Sequence, residues 1–207
     1  MKTQETKDQE LEVKFFVSDL PAVERRLQTL EARNSLPRVF EVNLRFDTPA
    51  GDLGRGFRVL RLRQDRIARL TYKGPASGLG GARLRQEIEF EVSDFAAARL
   101  FLEALGYQVA MVYEKYRASY ELAGVEVSLD ELPYGAFVEI EGPNPEAIQS
   151  VTRKLGLEYS ASIPASYTAL FEQLKERLSL PFRDLSFENF KGLTLTPDDL
   201  GVHPADR

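Results

Sequence analysis

The stretch Arg83-Leu84-Arg85-Gln86-Glu87-Ile88-Glu89-Phe90-Glu91 carries a charge at every odd position, set against Leu84, Ile88 and Phe90 at even ones. Successive residues of a strand point to opposite faces, so this spacing predicts a strand with one face charged along its length. The pattern recurs. Glu10, Glu12 and Lys14 oppose Leu11, Val13 and Phe15; Arg61 and Arg63 oppose Leu60 and Leu62. Lys115 and Arg117 oppose Tyr116 and Ala118; Ser128 and Asp130 oppose Val127 and Leu129; Glu139 and Glu141 oppose Val138 and Ile140. A solvated sheet face accounts for any one such strand. It accounts poorly for the set, because a solvated face uses Thr, Ser and Gln as freely as charge, and Glu and Lys are depleted in strands. Curling the sheet with these faces inward makes a polar tunnel and turns the apolar faces out toward covering helices.

Helices to do the covering are visible between the strands. Ser18-Asp19 and Ser93-Asp94 are cap signals, each after a strand and before an apolar period of helical spacing. The two units, VKFFVSDLPAVERRLQTLEA and FEVSDFAAARLFLEALG, echo one another and suggest an antiparallel barrel of two related halves. Further helices are expected over 144–155 and 165–178, and strands over 10–17, 40–46, 57–64, 67–73, 84–92, 109–121, 125–130 and 137–141. Residues 74–82 (GPASGLGGA) have no period and read as a loop. The reading is one α+β domain over 1–178 and a tail over 179–207 that Pro181, Pro197 and Pro204 punctuate, of uncertain structure.

Composition narrows the chemistry. There is no cysteine and one histidine, His203, which removes thiolate zinc, iron–sulfur and cysteine-nucleophile chemistry and disfavours a Ser–His–Asp triad. A net charge of −5 argues against a nucleic-acid or anionic-membrane partner, and no apolar run is long enough to span a bilayer, so a cytoplasmic protein is expected. The charge is uneven: residues 38–91 hold 11 basic and 7 acidic side chains, and 120–207 hold 7 and 15. Clustered carboxylates without His or Cys suit hard divalent cations such as Mg²⁺ or Mn²⁺. Clustered Arg and Lys suit phosphate oxygens. Together they describe a site for a metal-chelated polyphosphate, and no G-x-x-x-x-G-K-[ST] offers a P-loop instead.

In this pattern the chain resembles the CYTH superfamily, the triphosphate tunnel metalloenzymes. The resemblance rests on Glu10-Leu11-Glu12-Val13-Lys14, Arg61-Leu62-Arg63, Lys73, Arg85-Gln86-Glu87-Ile88-Glu89, Lys115-Tyr116-Arg117, Asp130, Glu139-Ile140-Glu141 and Ser166-Tyr167, in order over residues 9–178. It implies an eight-stranded closed antiparallel β-barrel with helices packed outside, acting as a metal-dependent triphosphatase or a class IV adenylate cyclase. Lys14, Arg61, Arg63, Lys73, Arg85, Lys115 and Arg117 would bind the triphosphate, with Lys14 or Lys73 assisting the attacking water. Glu10, Glu12, Asp130, Glu139 and Glu141 would hold Mg²⁺ or Mn²⁺, with Glu87 and Glu89 as further metal or water contacts. Tripolyphosphate hydrolysis is the first expectation, with ATP cyclisation and turnover-free polyphosphate binding as alternatives; a homodimer is left open. Thiamine triphosphate fits less well, because Leu44-Arg45-Phe46-Asp47-Thr48-Pro49 lacks the tyrosine usual before D-T-P in thiamine triphosphatases.

Overall fold

The computed structural model describes residues 9–79 and 82–206. Its elements run β1 (Gln9–Val17), α1 (Leu20–Thr29), β2 (Arg33–Asp47), α2 (Asp52–Arg55), β3 (Val59–Gln64), β4 (Ala68–Lys73), β5 (Ser77–Leu79) and β6 (Ala82–Val92). They continue with α3 (Phe95–Ala104), β7 (Gln108–Leu122), β8 (Val125–Leu132), β9 (Gly135–Glu141), α4 (Pro145–Lys154), a 3-10 turn Tyr159–Ala161, α5 (Tyr167–Leu178) and α6 (Pro197–Leu200). The strand order β1-β9-β8-β7-β2-β3-β4-β6 returns to its start through antiparallel pairing of β1 with β6, where Gln9, Glu10, Leu11 and Glu12 face Gln86, Arg85, Leu84 and Arg83. The eight-stranded antiparallel ring expected from the sequence is therefore present, with the three-residue β5 added along β6.

Three departures from the sequence reading have local causes. β2 begins at Arg33 and so runs past Pro37, with register shifts between Asn34 and Leu36 and between Leu36 and Val39 that accommodate the imino residue. Part of the aperiodic 74–82 segment is β5, whose pairing with Ala82–Leu84 uses backbone groups and leaves no side-chain period; Gly80 and Gly81 lie outside the described residues. The short α2 was not anticipated, because four residues hold too little pattern to read.

Helices cover the outside as the two echoed units predict. Asp19 accepts from the Ala22 amide and Asp94 from the Ala97 amide, so each cap starts its helix after its strand. Leu11, Val13 and Phe15 of β1 pack with Val23 and Leu27 of α1 and Ile148 and Val151 of α4. Leu102 of α3 packs on Leu44, Phe46 and Leu62. A third cluster sets Phe171 and Leu174 of α5 against Phe16, Phe137 and Tyr134. The segment after Ser179 joins that cluster through Leu185, Phe190, Leu200 and Val202. Leu185 pairs with the free edge of β7, accepting from the Glu114 amide and donating to the Val112 carbonyl. No helix among the described residues is long and apolar enough to cross a membrane.

Candidate active site

The charged faces line a cavity of about 1360 Å³ through the ring. Its walls include thirteen of the fourteen predicted site residues: Glu10, Glu12, Lys14, Arg61, Arg63, Lys73, Arg85, Glu87, Glu89, Lys115, Arg117, Glu139 and Glu141; the fourteenth, Asp130, lies behind them, wholly buried.

Register explains the assembly. Glu12, Glu141 and Glu126 are directly opposed on β1, β9 and β8, which makes a row of three carboxylates. Arg45, Arg61, Thr71 and Glu89 form a row across β2, β3, β4 and β6. Lys14 faces Glu139, Glu41 faces Lys115, Lys73 faces Glu87 and Glu10 faces Arg85. Acidic and basic strands thus meet, and the side chains pair. Lys73 Nζ lies 2.8 Å from Glu10 and 2.9 Å from Glu87, and Arg85 bridges Glu10 at 2.7 Å and Glu12 at 3.2 Å. Lys14 lies 3.2 Å from Glu139, donates to the Ala165 carbonyl at 3.2 Å and sits 4.0 Å from the centre of the Tyr167 ring. Arg61 and Arg63 share Glu89 at 3.2 and 3.1 Å. Asp130 accepts from Lys115, Arg117 and the Tyr167 hydroxyl, and Arg117 reaches on to Glu139. Asp130 therefore fixes two cations and ties them to Tyr167 at the start of α5.

The electrostatics divide these carboxylates. Burial alone would raise Glu10, but Lys73 and Arg85 outweigh it and hold the carboxyl at about 2. Glu41 is buried likewise and held at about 2 by Lys115, Arg117, Arg63 and Arg61. Glu141 goes the other way: burial, then Glu10, Glu126 and Glu87, push it up to about 8. Glu87 is also raised, by burial and by Glu10, against the pull of Lys73.

These contacts bear on the divalent metal. Among the described residues no group of three or more carboxylates is drawn together closely enough to hold a metal ion with the side chains as they stand. The donor chemistry nevertheless fits one. Glu141 is a carboxyl on the cavity wall held above the usual carboxylate range by desolvation and by its acidic neighbours, and a hard dication is the charge that would relieve it.

Several cavity residues escaped the sequence reading. Glu41 and Arg45 line the cavity and alternate along β2 with the buried Asn43 between them, in the spacing that marked the other charged faces, but that one polar amide hides the pattern. Glu126 continues the Ser128–Asp130 face by one more step, and Tyr113 of β7 accepts from Arg61 at 3.2 Å. Asn43 is wholly buried with no hydrogen-bond partner for either side-chain amide atom among the described residues, and Arg45 donates to the Thr168 hydroxyl, the first side chain past Tyr167.

The CYTH domain model matches residues 8–167. The chain belongs to the CYTH family. Among solved structures, a Vibrio parahaemolyticus protein with a provisional adenylate cyclase designation aligns at 20% identity and TM-score 0.74, over 81% of this chain and 99% of its own. A Pyrococcus horikoshii protein aligns at 29% identity and TM-score 0.64, over 76% of this CYTH chain and 96% of its own. A Hippeastrum protein first taken for an adenylyl cyclase and described as having a dominant triphosphatase activity aligns at 20% identity and TM-score 0.60, over 79% and 95%. A search of curated proteins finds no match. Relatives of this CYTH chain thus include adenylate cyclase and triphosphatase designations on one tunnel fold, and the family generally uses divalent metal.

Proposed function

We propose that this protein hydrolyses a linear triphosphate inside the tunnel, with a divalent metal, tripolyphosphate being the smallest such substrate. The observation that carries the reading is the row in which Arg45 stands directly opposite Arg61, with Arg63 two residues further along β3. Like charges directly opposite on a sheet are destabilising. Arg45 has a hydroxyl, and no carboxylate, as its hydrogen-bond partner among the described residues. A polyanion between these guanidinium groups turns repulsion into paired, charge-assisted hydrogen bonds. Lys14, Lys73, Arg85, Lys115 and Arg117 extend the same anion path, each already held in place by a carboxylate.

In this mechanism the basic rows grip the non-bridging oxygens and align the terminal phosphorus for in-line attack. Glu10, Glu12, Glu126 and Glu141 would hold Mg²⁺ or Mn²⁺, which supplies charge neutralisation on the phosphates. Asp130 and Glu139 keep Lys115, Arg117 and Lys14 oriented. Glu10 and Glu87 flank Lys73 with their affinities for protons pushed apart, the arrangement that separates an acid–base group from a fixed charge. Glu87 is the group suited to take the proton of the attacking water. The water oxygen bonds to the terminal phosphorus as the bridging P–O bond breaks, pyrophosphate leaves with that electron pair and takes up the proton, and orthophosphate is released.

The test is product analysis with tripolyphosphate, ATP and thiamine triphosphate, each with Mg²⁺ and with Mn²⁺. Orthophosphate release supports the reading. Cyclic AMP with pyrophosphate from ATP would make the protein a cyclase, and tight binding without turnover would make it a sensor.

A further inference from the structure

At the mouth of the tunnel one residue is placed against its own interest. Phe57 lines the cavity, yet it is 80% exposed, more than any other large apolar side chain among the described residues. Its backbone is left-handed, with φ of 53°. The residue occupies the turn that ends α2: the Phe57 amide donates to the Gly54 carbonyl at 3.0 Å and the Arg58 amide to the Leu53 carbonyl at 2.8 Å. This pair of bonds defines the helix-ending motif whose left-handed position favours glycine. Here the glycine, Gly56, stands one place earlier and the bulky ring takes the strained position. The other non-glycine residues with positive φ are Glu31, Ala123 and Ser179, all polar or small. Stability favours neither the conformation nor the exposure, so the ring calls for another reason.

The turn that presents it is braced. Asp47, also on the cavity wall, accepts from the amides of Thr48, Leu53 and Gly54. Asp52 accepts from the Thr48 hydroxyl and from Arg55, and its carbonyl accepts from Arg58. Phe57 shows no ring contact to another aromatic residue among those described, so its face is open. Arg61 follows four residues later, at most about 14 Å along the chain.

We infer that Phe57 is a stacking platform for the heterocycle of a nucleoside triphosphate whose phosphates occupy the tunnel. This rests on the triphosphate reading of the tunnel and narrows its substrate class. An exposed ring on a braced turn is a base-stacking surface whose backbone is already ordered, and stacking tolerates any base. The phosphate rows begin at Arg61, four residues further along the chain, and Phe57 and Arg61 line the same cavity. Inorganic tripolyphosphate has nothing to place on the ring and gains nothing from it.

The experiment is calorimetric titration of metal-free protein, where no turnover intervenes, with ATP, thiamine triphosphate and tripolyphosphate. Phe57→Ala should weaken ATP by roughly 5- to 100-fold and leave tripolyphosphate unchanged within about twofold. Phe57→Trp should retain ATP. Phe57→Gly should lose ATP as alanine does while raising the melting temperature, because glycine relieves the left-handed backbone; that combination separates a functional ring from a structural one. Equal weakening of tripolyphosphate, or undiminished ATP binding by Phe57→Ala, would overturn the inference, as would a loss confined to thiamine triphosphate. Failure of the unaltered protein to bind either ATP or tripolyphosphate would instead overturn the triphosphate reading beneath it.

Discussion

Glu141 is the tunnel side chain whose charge the protein does least to neutralise. The carboxyl has acidic residues opposite on both neighbouring strands, Glu12 and Glu126, and sits at about 8 instead of 4.5 through burial and through Glu10, Glu126 and Glu87. The folded protein therefore keeps a proton that the unfolded chain gives up, and metal-free stability falls as pH rises from about 4.5 through about 8. Glu141→Gln should raise the melting temperature of metal-free protein at pH 8 and leave it unchanged at pH 4, while reducing phosphate release at limiting Mg²⁺ at least tenfold; full activity would end its assignment to the metal. Asp130 is the opposite case, a wholly buried anion between Lys115 and Arg117. Asp130→Asn leaves both cations short of a counter-charge and should cost about 3–5 kcal/mol in urea unfolding. Glu87 bears on chemistry more than on stability. If it accepts the water's proton, Glu87→Gln should lower kcat and flatten the acid limb of the kcat–pH profile with little change in KM. An unaltered acid limb would assign that role elsewhere.

At the scale of elements, the tail after α5 is part of the fold. Leu185 is wholly buried and its backbone completes the edge of β7 that β8 leaves free. Near the end of the chain, the Ala205 amide donates to the Phe16 carbonyl, and the Asp206 carboxylate accepts from the amides of Ser18 and Asp19 at the entry to α1. Leu185→Ala should cost about 2–5 kcal/mol by opening a cavity under α5. Asp206→Ala, which removes an acceptor for two amides, should cost about 0.5–2 kcal/mol. Both are measured by denaturant titration with the midpoint read at constant slope. Values near zero would show that the tail only rests on the domain. The sequence marks Phe182, Leu185, Phe187 and Phe190 as the tail's packing residues, but the backbone pairing was not legible, since pairing across such separations uses backbone groups and three prolines obscure the remaining period.

For the whole molecule, the tunnel arrives filled with its own ion pairs, so under the proposed function a triphosphate would bind by exchanging carboxylate partners for phosphate oxygens. That exchange keeps the basic side chains preorganised and makes the affinity sensitive to salt. Tripolyphosphate with Mg²⁺ at about a hundred times its dissociation constant should raise the melting temperature by roughly 5–10 °C, from the mass-action stabilisation of a chain this size. The shift should shrink as NaCl is raised at fixed ligand. No shift with tripolyphosphate or ATP, at any ionic strength, would leave the tunnel without a polyanion.

Strict alternation over residues 83–91, repeated on five other strands, was enough to specify an antiparallel sheet with charged residues on one side and helices on the other, because side-chain direction in a strand has a period of two whatever lies around it. The caps at Asp19 and Asp94 were legible for the same reason: they act within three residues. Tertiary structure decided what depends on several strands at once. It placed Glu12, Glu141 and Glu126 in one row and Arg45 against Arg61, since register is a property of pairs of strands. It set Glu141 near 8 and Glu10 near 2, although both are glutamates in E-x-E tracts, because burial and neighbouring charge, not the tract, set each proton's affinity. It also revealed Phe57 as an exposed ring on a left-handed turn at the tunnel mouth, a position defined by the backbone and by what lies across the cavity, to which the local sequence Arg55-Gly56-Phe57-Arg58 gives no clue.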